Sequence, residues 1–199
     1  MVEKVGIYSG TFDPVHKGHV MFCLEAIKVC KLDRVLLLPE EHPRHKANVA
    51  SIEHRIAMLE IATQKCSQLE VVRLHSDRFT VRDTLPEIYA CTRNATLTML
   101  LGSDVVTHME RWPDINDLLA TISLAIGLRG TESVESVSEI IRSLRPENSS
   151  SSLTQVQYIH TPHTHAASSR VRESLGQDSD IDPSVMAYAL HHALYIQPA

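Results

Sequence analysis

The sequence predicts an α/β protein, a parallel sheet with helices on both faces. Three observations lead there. Short apolar runs alternate with amphipathic segments along most of the chain. The first two runs break at Ser9-Gly10 and at Pro39, residue types that end strands. Two of the amphipathic segments open on a residue able to cap a helix, Ser51 and Thr80. Strand and helix in this rhythm imply right-handed crossovers between parallel neighbours.

Taken in order, residues 4–8 read as a buried strand. Residues 18–30 read as a helix, with Val20, Leu24, Ile27 and Val29 apolar at helical spacing. Residues 34–38 form a second strand, and a polar loop over 40–50 leads to Ser51 and a helix over 52–63. Residues 69–74 form a third strand. Thr80 with Asp83 makes a capping-box-like start, Asp standing for Glu, for a helix reaching about Thr92. Residues 95–101 and 121–128 are the fourth and fifth strands. Residues 146–153, reading P-E-N-S-S-S-S-L, are expected to form a mobile surface loop. A strand over 156–159 and helices near 169–175 and 184–195 complete the chain. In such a sheet ligands sit where loops leave the carboxyl ends of the strands. That rule directs attention to residues 9–19, 39–46, 77–80 and 102–112.

Composition sets the outer bounds. With 43% apolar and 22% charged residues, the 199-residue chain can bury a core as one domain over 1–199. The net charge of −5 leaves no excess of Lys and Arg to neutralise a long phosphate backbone, so no nucleic-acid partner is expected. No apolar run approaches the roughly 18–20 residues of a spanning helix, so no membrane partner is expected either. No signal-peptide pattern opens the chain. Cys23, Cys30, Cys66 and Cys91 contain no C-x-x-C pair and are expected to be reduced and mostly buried, consistent with a cytoplasmic location.

The strongest chemical signal is Gly10-Thr11-Phe12-Asp13-Pro14-Val15-His16-Lys17-Gly18-His19, directly after the first strand. Gly10 lets backbone approach a ligand closely. His16 and His19 fall at the start of a helix, where unpaired N–H groups and the helix dipole attract anions. Two imidazoles there can donate to phosphate oxygens. A metal site on this pair needs further ligands, and no Cys or carboxylate stands beside it at metal-site spacing. His160, His163 and His165 are a looser metal candidate that reads as exposed loop, so no metal ligand is assigned.

The segment G-T-F-D-P-V-H-K-G-H resembles the signature of the nucleotidyltransferases related to class I aminoacyl-tRNA synthetases. Further stretches resemble the bacterial nicotinate-mononucleotide adenylyltransferases in particular. His42-Pro43-Arg44-His45-Lys46 is similar to that family's P-P-H-K, with Arg44 in place of the second Pro. Arg55, Met58 and Leu59 match R-x-x-M-L, and residues 79–85 resemble S-Y-T-x-D-T-L. Gly102-Ser103-Asp104 with Trp112 resembles G-A-D followed by a Trp. Ala166-Ala167-Ser168-Ser169-Arg170-Val171-Arg172 resembles I-S-S-T-x-I-R, with Ala167 replacing the first Ser, and Pro183, Val185, Tyr188, Leu194 and Tyr195 resemble the closing helix. The likeness runs from about residue 4 to residue 196 and is weakest over 130–165.

The resemblance implies a Rossmann-like nucleotidyltransferase fold in which residues 166–199 form a C-terminal helical segment completing the ATP site. It implies transfer of AMP from ATP to nicotinate mononucleotide, the acid rather than the amide, with Mg²⁺ carried by the ATP phosphates. His16, His19 and Arg172 would be catalytic. Ser9, Gly10, Thr11, Phe12, Gly102, Asp104, Ser168 and Ser169 would join them in binding ATP. Lys46, Thr80, Asp104, Trp112 and Arg129 would bind the mononucleotide. Physically, Ser168 or Ser169 would cap a helix facing polyphosphate, and Arg172 would add a positive fork one turn in. Asp13 is expected to be structural, bonding its own backbone nearby. A homo-oligomer is compatible with all of this. The alternatives are pantetheine-phosphate adenylyl or cytidylyl transfer by the same superfamily, or a catalytically silent nucleotide-binding regulatory protein.

Overall fold

The computed structural model describes residues 2–44, 46, 48–128, 132–144, 155–160, 166–173 and 180–195. Six parallel strands stand in the order β3-β2-β1-β4-β5-β6. They are β1 Lys4–Gly10, β2 Arg34–Pro39, β3 Leu69–Val71, β4 Thr96–Gly102, β5 Ser123–Leu128 and β6 Val156–His160. Helices α1 Lys17–Cys30, α2 Ile52–Thr63 and α3 Val81–Cys91 link the first four. The β4–β5 connection holds α4 Ser103–Val106, a 3-10 turn Met109–Arg111 and α5 Ile115–Thr121, and α6 Val134–Ser143 follows β5. Two C-terminal helices, α7 Ser168–Glu173 and α8 Pro183–His191, close the chain.

The strands are continuous apolar runs because both faces are covered. Along β2 the side chains alternate between two cores. Leu36 and Leu38 pack with Ile88 of α3, Val106 of α4 and Ile141 of α6. Val35 and Leu37 pack with Cys23 of α1, Met58 of α2 and Val185 of α8. No helix among the described residues is long and apolar enough to cross a membrane.

Several expected boundaries shift. The third strand stops at Val71, although the Val72 N–H still reaches the Leu37 carbonyl at 3.0 Å. Thr121 belongs to a helix, and the fifth strand starts at Ser123. Helices α5 and α6 have no counterpart among the elements the sequence predicts. All four cysteines are free, yet only Cys23 is buried and Cys91 is exposed, which corrects the expectation of mostly buried thiols. The 146–153 loop, His45, Arg129, His163 and His165 lie outside the described residues.

Candidate active site

Strands β1 and β4 are neighbours, with Ile7 beside Met99, and the strand order reverses between them. The chain leaving β1 enters α1 on one face, while the chain leaving β4 enters α4 on the other. The loops therefore diverge and open a cleft at the strands' carboxyl ends. It measures about 700 Å³ and is lined by Ser9, Gly10, Thr11, Phe12, His19, Lys46, Gly102, Asp104 and Ser168, among others. Most of the sequence-predicted ATP residues thus meet on one wall system.

His16 is the N-cap of α1, and its backbone N–H donates to Nδ1 of His19 at 3.2 Å. A neutral imidazole that accepts at Nδ1 carries its proton at Nε2. His19 therefore offers a donor on a ring that lines the cleft. The His16 ring stacks on His19 at 3.6 Å between centroids, is 4% exposed, and lines a smaller pocket with Val20 and Val185 on the other side. Phe12, held at φ +51°, packs edge-on against His19 at 5.1 Å. A Cβ on Gly18 would lie 3.0 Å from both Ala166 Cβ and His16 Nδ1. Glycine at that position lets the 166–168 segment approach the first turn of α1.

That approach changes the expected role of the serines. The Val171 N–H bonds to the Ala167 carbonyl at 3.0 Å, so α7 begins at Ser168 and Ala167 takes the capping position. Neither serine caps the helix. Ser168 Oγ donates to the Pro14 carbonyl at 3.0 Å, and Ser169 is exposed. Arg172 Nη1 donates to the Asp13 carbonyl at 2.6 Å. Of these three, Ser168 is the one that lines the cleft.

Asp13 is 3% exposed and is tied to distant chain instead of its own turn. Its Oδ1 accepts from the Ala50 N–H at 3.1 Å and from the Tyr195 hydroxyl at 2.6 Å. The residue that sequence reasoning left without a role is Arg55, 1% exposed. Its guanidinium donates to the carbonyls of Ala50, Thr11 and Glu40, each at 2.8 Å, and of Glu41 at 3.2 Å. The signal for it is a cation on an apolar stripe, since Arg55, Met58 and Leu59 are all buried on one face of α2. This clamp fixes the loop that carries Lys46. Lys46 is exposed as a residue, but partial desolvation and the nearby Arg172 lower its pKa, against Asp13, Glu40 and Asp104, which raise it. Glu40 Oε1 in turn accepts from Phe79 N–H and Ser9 Oγ.

A side pocket of about 290 Å³ adjoins the cleft, sharing Arg44, Phe79 and Trp112 with it and adding Thr80 and Asp114. Thr80 caps α3 as expected. Its hydroxyl accepts from Asp83 N–H at 3.0 Å and donates to the Asp83 carboxylate at 2.8 Å. Trp112 is half-buried, tilted against Phe79 at 6.4 Å. Asp104 lies in the first turn of α4, whose cap is Gly102. Among the described residues no three His, Cys, Asp or Glu side chains converge as a metal site.

The chain matches the cytidylyltransferase-like family over residues 7–173. A Solibacter usitatus relative, described as a "probable nicotinate-nucleotide adenylyltransferase", is 30% identical over 96% of this chain and 99% of its own length. The chain belongs to the nicotinate-nucleotide adenylyltransferase family. A relative from Saccharophagus degradans under the same description is 32% identical over 95% of this chain and 94% of its own. The fold is shared with the Plasmodium falciparum nicotinic acid mononucleotide adenylyltransferase complexed with NaAD, at a TM-score of 0.78 over 97% of each chain and 20% identity. Arg44, which differs from the motif the sequence resembles, lines both the cleft and the side pocket.

Proposed function

We propose that this chain transfers AMP from ATP to nicotinate mononucleotide, releasing pyrophosphate and forming nicotinate adenine dinucleotide for NAD biosynthesis. The observation that carries the reading is one continuous cleft between β1 and β4, with the His19 donor on one wall and an aromatic side pocket opening from another. A phosphate oxygen of the mononucleotide attacks the α-phosphorus of ATP. The new O–P bond forms as the bond to the α–β bridging oxygen breaks, and pyrophosphate leaves with that electron pair. The step needs alignment and charge stabilisation, with no protein nucleophile.

His19 Nε2–H donates to the α-phosphate and to the leaving oxygen, while His16 supports its ring from behind. Gly10, Thr11 and Phe12 bring backbone close to the triphosphate. Lys46 donates to phosphate oxygens, Ser168 does so once its hydroxyl turns from the Pro14 carbonyl, and Arg172 and Ser169 flank the departing pyrophosphate at the cleft's edge. Asp104 accepts from a ribose hydroxyl, and Thr80 and Trp112 frame the pyridine ring. Magnesium would arrive with ATP and would offset the negative charge of its phosphates. The unit is a single domain over 1–199 with residues 166–199 completing the ATP site, and the four free thiols fit work in the cytoplasm.

Pyrophosphate release with ATP and nicotinate mononucleotide tests the reading. Turnover is expected with that pair and not with pantetheine phosphate, nor with CTP replacing ATP. Nucleotide binding without turnover would make the chain a silent binder and overturn it.

A further inference from the structure

The side pocket is walled by Phe79, Thr80 and Trp112 and receives the N-terminus of α3, an eleven-residue helix. Its charged residues are Arg44, Arg82, Asp83 and Asp114. Two of them are matched within the wall, as Arg82 Nη2 lies 3.6 Å from Asp114 Oδ1. Asp83 is held by the Thr80 hydroxyl at 2.8 Å and sits at the positive end of α3. Arg44 is different. Its Nη2 donates to the Phe79 carbonyl at 3.3 Å, and among the described residues it makes no ion pair. It is also the residue that stands where the family's motif has proline, and it lines both the side pocket and the main cleft.

We propose that Arg44 is a specificity-determining residue that selects an acidic pyridine nucleotide over its neutral amide by donating to the ring carboxylate. This rests on the proposed function and deepens it. A flat ring entering between Thr80 and Trp112 turns its substituent toward the pocket wall that Arg44 shares with Phe79. A guanidinium already oriented through a carbonyl there has N–H groups left for a carboxylate, which takes two of them in parallel. An amide presents its own N–H groups to the same cation and gains less. Lys46 and His19 line the main cleft, where the mononucleotide phosphate would then lie.

The test compares binding of nicotinate mononucleotide and nicotinamide mononucleotide by calorimetry, with a non-hydrolysable ATP analogue present, for the wild type, Arg44→Ala and Arg44→Lys. The acid-to-amide affinity ratio is expected to fall about tenfold to a hundredfold in Arg44→Ala, the size of one charged hydrogen bond. Arg44→Lys should recover part of it. An equal loss for both mononucleotides would put Arg44 on the shared phosphate, and an unchanged ratio would leave it without a part in selection. Either result overturns the inference. Because binding is read directly, a wild type that binds and discriminates but does not turn over would end the proposed reaction while leaving the role of Arg44 standing. A wild type that binds neither mononucleotide would end both.

Discussion

The carboxylate of Asp13 accepts a hydrogen bond from the Tyr195 hydroxyl at 2.6 Å, across 182 positions of sequence. The same Oδ1 accepts from Ala50 N–H, and Arg172 holds the Asp13 carbonyl. One buried residue thus joins the turn before His16 to the Lys46 loop, to α7 and to the segment after α8. Asp13→Asn keeps an acceptor but loses the charge, so stability should fall by about 1–3 kcal/mol in urea unfolding. ATP binding should survive in the folded fraction. Abolished turnover in a fully folded variant that still binds ATP would show a chemical role instead.

Tyr195 also gives the protein a pH signature. Burial, and then the bond to Asp13, push its phenol above the ordinary tyrosine value of about 10. The folded state keeps the proton after the unfolded chain has lost it. The stability from this group is complete below about pH 10 and declines as pH rises through the raised folded value. Desolvation also raises the Cys23, Cys30 and Cys91 thiols, so Tyr195→Phe is the comparison that isolates the tyrosine. Its unfolding free energy should lie below wild type at pH 8 and converge on it as pH climbs past about 10. A constant gap between the two would show that the phenol does not titrate with folding.

What was legible in the sequence follows from how each feature is encoded. The strands show because doubly covered parallel strands are plain apolar runs, and Ser51 and Thr80 cap helices through bonds three residues away. Helix α6 was readable too. Ser133 caps it through Ser136 N–H, and Val134, Val137, Ile140 and Ile141 repeat at helical spacing. It went unseen beside a low-complexity stretch. Helix α4 spans four residues, too few to show a period. The contacts of Asp13 could not be read, because carboxylate partners 37 and 182 residues away leave no local pattern. Ser168 does not cap α7 because the helix already includes it, the Ala167 carbonyl taking the first helical bond.

Arg55 should be the costliest single cation to remove. Arg55→Met fills similar space but strands the buried carbonyl of Thr11 and the partly buried ones of Glu40, Glu41 and Ala50. A loss of about 3 kcal/mol or more is expected from chemical denaturation. Arg55→Lys keeps the charge without the fork, so it should fold with an intermediate loss and a raised KM for the mononucleotide as the Lys46 loop loosens. A loss under about 1 kcal/mol for Arg55→Met would mean water satisfies those carbonyls.

Trp112 stands at the junction of side pocket and cleft, half-buried, so its indole has a face to offer a ring. Aromatic stacking contributes on the order of 1 kcal/mol beyond area burial. Trp112→Ala should raise KM for the mononucleotide about tenfold and leave KM for ATP nearly unchanged. A larger effect on ATP would assign the indole to the other subsite.

His19 carries the firmest expectation, because its proton position follows from the bond it accepts. With Nδ1 held by the His16 N–H at 3.2 Å, Nε2 is the donor before any substrate arrives, so its orientation costs nothing during the reaction. Negative charge grows on the α–β bridging oxygen as pyrophosphate departs, and a donor aimed there strengthens at the transition state. Interactions that strengthen only then raise kcat and leave ground-state affinity nearly alone. His19→Ala should therefore lose about 10²–10³ in kcat, while calorimetric ATP affinity weakens by less than about tenfold. His16→Ala differs, since it removes the ring stacked at 3.6 Å behind His19 and leaves space in its place. Binding and rate should fall together there as His19 loses its support. Near-normal kcat in His19→Ala would remove the donor from the chemistry, and the mechanism with it.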